Sequence, residues 1–321
     1  DLHSFPTRRS SDLVDYACDV FVDGRWLAAQ EGLQTPVEID VTDELSAGSV
    51  LTVRIKPAPK SRPAPSDRAQ ADHSCKPAVA YGWDFHPRLI PLGLWNDAFL
   101  EVRANLHLSA PPLLAYQLND ACDQATGQLE LCLNTPAPSG VTVRWKLLGP
   151  GGDAVQEAGG VIPAGASRWV LPFSLQRVAL WWPHDQGAPA LYTSNVELIA
   201  ADGRMLDTDA SRVGFRRVRL VMAPEQWKEP VAFPKSRSRP PITIEVNGRA
   251  LFVKGSNWVC PDIFPGTVTR ERYAAQLALA RSSHLSLLRV WAGAAAPSEA
   301  FFELCDELGL MVWQEFPLAC N

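Results

Sequence analysis

Three absences bound this 321-residue chain before any motif is read. It has no run of about 18 apolar residues, so no membrane-spanning helix is expected. The formal net charge is -5 and no basic stripe exists, which excludes the phosphate neutralisation that nucleic-acid binding requires. No two cysteines stand at CxxC spacing. Cys18, Cys75, Cys122, Cys132, Cys260, Cys305 and Cys320 are odd in number and scattered, which argues against zinc and against a disulfide framework. Buried free thiols in a reducing compartment fit that pattern, and with no export signal in view the expectation is a cytoplasmic protein.

What is present points to β structure. With 46% hydrophobic and 20% charged residues, the chain can build two or three cores of ordinary composition. Its 27 prolines and 11 tryptophans favour turn-rich sheets with aromatic surfaces over helical bundles.

One stretch, 251–321, reads as repeated strand-then-helix units. An apolar strand at 251–258 stops at Gly255 and Asn257, and a helix then runs to Ala280, with Thr269 as its N-cap and Tyr273, Leu277 and Ala280 at helical spacing. A second strand spans 285–291. Phe301, Leu304, Cys305 and Leu308 share one face of a second helix, which Gly309 ends, and a third strand covers 310–316. Asn257 with Trp258, Arg289 with Trp291, and Trp313 with Glu315 all fall at C-terminal strand ends, where parallel sheets and barrels build active sites.

Three motifs carry a resemblance: Gly255-Ser256-Asn257-Trp258-Val259, the run 288–293 (LRVWAG) and the run 302–316 (FELCDELGLMVWQEF). In order and spacing they resemble the opening of the catalytic (β/α)8 barrel of the β-mannosidases in glycoside hydrolase family 2. Ala292, Gly293 and Ala294 stand where those enzymes commonly have three glycines, so a less open loop is expected there.

Upstream, residues 1–13 lack periodicity, resemble translated sequencing adapter and are set apart from the fold. Residues 14–102 read as strands: a hairpin about Asp23 and Gly24, alternation at 35–41 and 49–55, a proline-rich, charged loop at 57–71 that reads as mobile, and a return to strand at 89–102. By the resemblance this is a partial jelly-roll domain. Residues 103–221 show strands at 129–133, 141–147, 167–173, 192–199 and 211–220 with sandwich spacing, and the family places an immunoglobulin-like domain here. Trp181 and Trp182 read as interdomain packing, and His107 and His184 as surface or satisfied histidines. A Pro-, Lys- and Arg-rich linker covers 222–241, and 242–321 opens the barrel through a hairpin at Asn247 and Gly248. The fold class is therefore multidomain and mainly β: two β-sandwiches followed by the first three β/α units of a TIM barrel.

Retaining glycoside hydrolysis needs two carboxyl groups about 5 to 5.5 Å apart. The resemblance places both glutamates on the fourth and seventh barrel strands, beyond residue 321, so no catalytic carboxylate is expected in this chain and the chain alone is expected to be inactive. Glu315 reads as a supporting residue, and Glu299, Glu303 and Glu307 as a solvated helix face. The resemblance gives Arg289 the task of orienting a nucleophilic carboxylate, for which a guanidinium fork is suited. Asn257, Trp258, Trp291 and Trp313 are candidate walls of a sugar site, since indole faces stack on pyranose C–H faces.

Outside the barrel, Tyr81-Gly82-Trp83-Asp84-Phe85 is the informative motif. A carboxylate can accept from two neighbouring sugar hydroxyls while an adjacent indole forms an apolar wall. In the family the matching pair reaches the barrel mouth, which carries over to Trp83 and Asp84; Phe85 departs from the family's second tryptophan. The bland reading of Asp84 is a turn residue capping its own loop. The resemblance implies an exo-β-mannosidase acting on a β-mannoside or oligosaccharide, without metal or cofactor. Other family 2 specificities (exo-β-glucosaminidase, β-galactosidase) and a non-catalytic carbohydrate-binding β-sandwich protein are the alternatives.

Overall fold

The computed structural model describes residues 7–11, 14–59, 74, 76–223 and 242–316. Most of the loop expected at 57–71 and most of the linker expected at 222–241 lie outside them. The chain is mainly β, with seven sheets among the described residues.

The N-terminal part is built on antiparallel pairs. Ala17–Val22 lies between Arg25–Glu31 and Leu51–Ile55. Its turn places Asp23 and Gly24 at φ 50 and 80, the left-handed pair that a two-residue hairpin demands. A second sheet contains Thr7–Ser11 between Val37–Asp40 and Ala98–Val102, so part of the segment set apart from the fold takes a place in it. The strand expected across 89–102 is broken into Gly93–Leu94, which pairs with Val14–Asp15, and Ala98–Val102.

Two facing sheets form the second unit around the largest core. Arg168–Gln176, Gln124–Cys132 and Leu113–Leu118 make one; Ala154–Val161, Thr142–Leu148, Tyr192–Ile199 and Met205–Val213 make the other. Alternation sends Leu129, Leu131 and Phe173 from the first sheet against Val143, Trp145 and Leu147 from the second. Each such side chain, fully buried, contributes roughly 1.5–3 kcal/mol. Trp145 packs edge-on to Phe173 at 5.5 Å, and its Nε1 donates to Ser194 Oγ at 3.0 Å, which satisfies a buried donor. The strand expected at 211–220 divides, its first half ending Met205–Val213 and its second forming Val218–Met222.

The strand expected at 251–258 divides too. Ile242–Val246, Arg249–Leu251 and Val218–Met222 form an antiparallel sheet with a turn at Asn247 and Gly248, and only Gly255–Trp258 joins the parallel sheet. That sheet runs Gly255–Trp258, Leu287–Val290, Met311–Gln314, connected by helices Arg270–Ser282 and Glu299–Leu308. Thr269 caps the first helix by accepting from the Arg272 N–H at 3.3 Å. Gly309, at φ 71, ends the second. Tyr273, Leu277, Leu288, Val290, Phe301 and Cys305 close a core between helices and strands.

The unit of two facing sheets packs on this one through Trp181, only 1% exposed, whose Nε1 donates to the Asp306 carbonyl at 2.8 Å. His184 is satisfied there: its N–H donates to the Gly309 carbonyl at 2.9 Å and its Nε2 to that of Leu285 at 2.8 Å. His107 differs from the expectation of a surface or satisfied ring. It is buried, with Nδ1 2.9 Å from the Ala104 carbonyl and Nε2 unpartnered among the described residues. Glu303 and Glu307 are not merely solvated either. Glu307 accepts from Arg212 of the strand Met205–Val213 at 2.6 Å and from Arg270 of the first helix at 3.0 Å, and Glu303 pairs with Arg270. Among the described residues no helix is long and apolar enough to cross a membrane.

Candidate active site at the parallel strand ends

The parallel register sets Asn257, Arg289 and Trp313 side by side. Because side chains alternate along a strand, these three share one face, while Trp258 and Val290 point to the helices. Arg289 reaches sideways on its face. Its Nη1 donates to Asn257 Oδ1 at 3.0 Å, and its Nε and Nη2 both approach Glu315 Oε1, at 2.6 and 2.5 Å. Trp313 leaves 56% of its surface open beside them.

Glu315 takes the supporting place. Its second oxygen accepts from the Ala292 N–H at 3.0 Å, so one carboxylate ties the arginine to the loop that follows the middle strand. That backbone donor, then Arg289, holds its carboxyl below the usual range and keeps it ionised. A guanidinium has five N–H donors, and these contacts engage three, leaving two for a further anionic or hydroxyl group.

Trp291 stands on this loop. Its N–H donates to the Trp258 carbonyl at 3.1 Å, and its ring folds over Gly293 so closely that a Cβ there would lie 2.3 Å from the indole. Ala292 and Ala294 on either side are buried, consistent with a less open loop.

The segment from the N-terminal part reaches Trp291. Trp83 meets it edge-on with ring centroids 5.4 Å apart, and Phe85 does so at 6.1 Å. A tight turn presents these rings: the Trp83 N–H donates to the His86 carbonyl at 2.8 Å and the His86 N–H returns to that of Trp83 at 3.2 Å. Asp84 sits at the exposed tip, and its carboxylate makes no hydrogen bond or ion pair among the described residues. It does not cap its own loop.

Arg289, Asn257, Trp313, Trp291, Trp83 and Asp84 are thus brought to one end of the parallel sheet. Trp258 is not on that surface. Its indole packs on Phe301 at 4.8 Å and Tyr273 at 6.2 Å, beneath the sheet, and its Nε1 is buried without a partner. Two further residues contribute. Phe85 touches Trp291 despite its departure from the family pattern, and Glu315 organises both the arginine and the loop; its two-residue offset from Trp313 was the available signal. No group of residues able to hold a metal ion occurs among the described residues.

Comparisons with known proteins place the chain near one glycosidase family. Residues 113–216 match the family model of glycosyl hydrolases family 2. The chain is 31% identical over 253 residues to a β-mannosidase of Rattus norvegicus, covering 76% of this chain and 27% of that protein. It is 28% identical over 243 residues to β-mannosidase B of Thermothelomyces thermophilus, covering 75% and 26%. The solved β-D-mannosidase from Dictyoglomus thermophilum matches 99% of this chain and 39% of its own, with a TM-score of 0.85 and 25% identity. The fold is shared with β-glucuronidase 3 of Bacteroides uniformis, at a TM-score of 0.72, 20% identity and coverage of 98% and 36%. The chain spans about a quarter of the length of the curated relatives it matches.

Proposed function

We propose, from its relation to the glycosyl hydrolases of family 2 and its resemblance to β-mannosidases, that this chain is part of a retaining exo-β-mannosidase that removes terminal non-reducing β-D-mannosyl residues. The observation that carries the reading is the meeting of the Trp83–Asp84 turn with Trp291, next to Arg289. An open carboxylate beside an indole wall suits a terminal sugar, because two vicinal hydroxyls can donate to it while the ring's C–H face lies on the aromatic. In this reading residues 14–102 are a partial jelly roll, 103–221 an immunoglobulin-like sandwich and 242–321 the opening of a (β/α)8 barrel. The acid/base and nucleophile come from later strands, and Arg289 offers its remaining N–H donors to one of them. The free thiols of Cys18, Cys122 and Cys305 suit a reducing compartment, hence a cytoplasmic enzyme.

The experiment is Asp84→Ala in the full-length protein. Activity on an aryl β-mannoside, as kcat/KM, should fall by at least about a hundredfold, the effect of unpairing two substrate hydroxyls in a desolvated site, while Tm stays put. Unchanged kinetics, or a wild type that prefers aryl β-galactosides, β-glucosaminides or β-glucuronides, would overturn the reading.

A further inference from the structure

The segment from 76 to 91, which delivers Trp83 and Asp84, has no ladder to hold it beyond the bridge between Trp83 and His86. Its base is closed instead by Lys76. This ammonium is 1% exposed, and each of its three donors has an acceptor: Asp15 Oδ1 and Oδ2, both at 2.5 Å, and the Pro91 carbonyl at 2.8 Å. One side chain therefore bonds the far end of its own loop and, through Asp15 (3% exposed), the strand Val14–Asp15 that pairs with Gly93–Leu94 just beyond it.

A buried ion pair is a poor way to gain stability, since two apolar residues of similar size often serve as well or better. What it supplies is direction, because an ammonium with fixed acceptors defines one geometry. The pair also lines a cavity of about 40 Å³ together with Val259, Ile263, Ala294 and Ala295, the last two belonging to the loop of Trp291. Loop base and barrel entry thus line one small cavity.

We propose that Lys76 and Asp15 form a positioning clasp that fixes the 76–91 loop so that Trp83 and Asp84 meet the Trp291 loop in one register, an inference that rests on the mannosidase reading only for its kinetic consequence. The clasp does not touch the sugar. Its removal loosens the loop tip while the sheets persist, because the apolar residues beside Asp15, Val14 and Tyr16, keep their own core contacts.

The test is the double variant Asp15→Asn/Lys76→Met in the full-length protein, which leaves no unpaired buried charge. The near-UV circular dichroism couplet of the Trp83–Trp291 pair, defined as the difference between wild type and Trp83→Phe, should be lost, with a Tm shift of under about 4 °C. On an aryl β-mannoside kcat/KM should fall by about tenfold or more, chiefly through KM. Retention of the couplet, or kcat/KM within about twofold of wild type, overturns the clasp. Should the double variant not fold, Asp15→Asn/Lys76→Gln, likewise without a buried charge and with polar groups in both places, should weaken the couplet, and full retention of it again overturns the proposal. If wild type proves inactive on β-mannosides, the couplet still decides the clasp by itself.

Discussion

Arg289 and Glu315 meet through one oxygen: the guanidinium Nε and Nη2 lie 2.6 and 2.5 Å from Glu315 Oε1, leaving Oε2 for the Ala292 N–H. The carboxylate sets the arginine's angle and the loop's path together. Glu315→Gln cannot do both, because its amide nitrogen donates where Oε2 accepted. In the full-length protein it should lower kcat/KM by about tenfold or more with the fold intact. The depressed carboxyl adds stability above the carboxyl's unfolded pKa, and this stability is lost as pH falls through the lower folded value. Wild type and Glu315→Gln should therefore converge in Tm below the usual carboxylate range, and a gap that persists there would exclude the linkage.

Gly293→Ala tests the fold-back of Trp291. A Cβ 2.3 Å from the indole forces the ring away from Trp83 and Phe85. Activity should drop by about tenfold, and Trp291 fluorescence should become more quenchable by iodide. An unaltered quenching constant would mean that the ring never needed the gap.

Trp258 should behave as core. Trp258→Ala removes a ring packed on Phe301 and Tyr273 and should cost about 3 kcal/mol in urea unfolding, with KM unchanged. Trp258→Phe also removes a buried donor that has no partner, and should be milder. A raised KM with unchanged stability in either variant would return Trp258 to the surface of Arg289 and Trp313.

Alkali should destabilise the helix–strand core through Cys305, whose thiol is pushed up to about 12 by burial and then by the neighbouring Asp306. The folded state keeps a proton that the unfolded chain gives up near pH 9, so stability is complete below that pH and declines as pH rises through the folded value, by up to ~1.4 kcal/mol per unit. Tyr81, also pushed up to about 12 by burial, adds its share from about pH 10. Urea midpoints measured from pH 8 to 11 should fall less steeply in Cys305→Ala, and parallel slopes would contradict this.

Much of the parallel unit was legible because its signals are local. Thr269 and Gly309 mark helix ends by their own chemistry, and Tyr273, Leu277, Phe301 and Leu304 lie at helical spacing. The face of Trp258 was not legible, since it depends on where the strand begins, and a frame starting at 251 does not reveal that only Gly255–Trp258 joins the sheet. The strand Ala154–Val161 escaped notice because its two glycines weaken strand propensity. Yet Gly159 is needed there, as a Cβ would lie 2.3 Å from the Val143 carbonyl. Nor does a lysine between Cys75 and Pro77 advertise burial, because the three acceptors of Lys76 are met only when distant segments fold together.

Apart from the Arg212–Glu307 pair, the two facing sheets dock on the second helix through main-chain atoms. Trp181 bonds the carbonyl of Asp306 and His184 that of Gly309, so neither contact reads the identity of the helix residue it touches. Such a seam tolerates sequence drift on the helix side: Asp306 can change while the carbonyl stays. Gly309 is the exception, because its φ of 71 and a Cβ position 2.7 Å from the His184 nitrogen leave room for hydrogen alone. In a library of random substitutions, 309 should be refused by selection as firmly as the buried Cys305 and Leu310, while 306, which offers only its carbonyl to Trp181, varies.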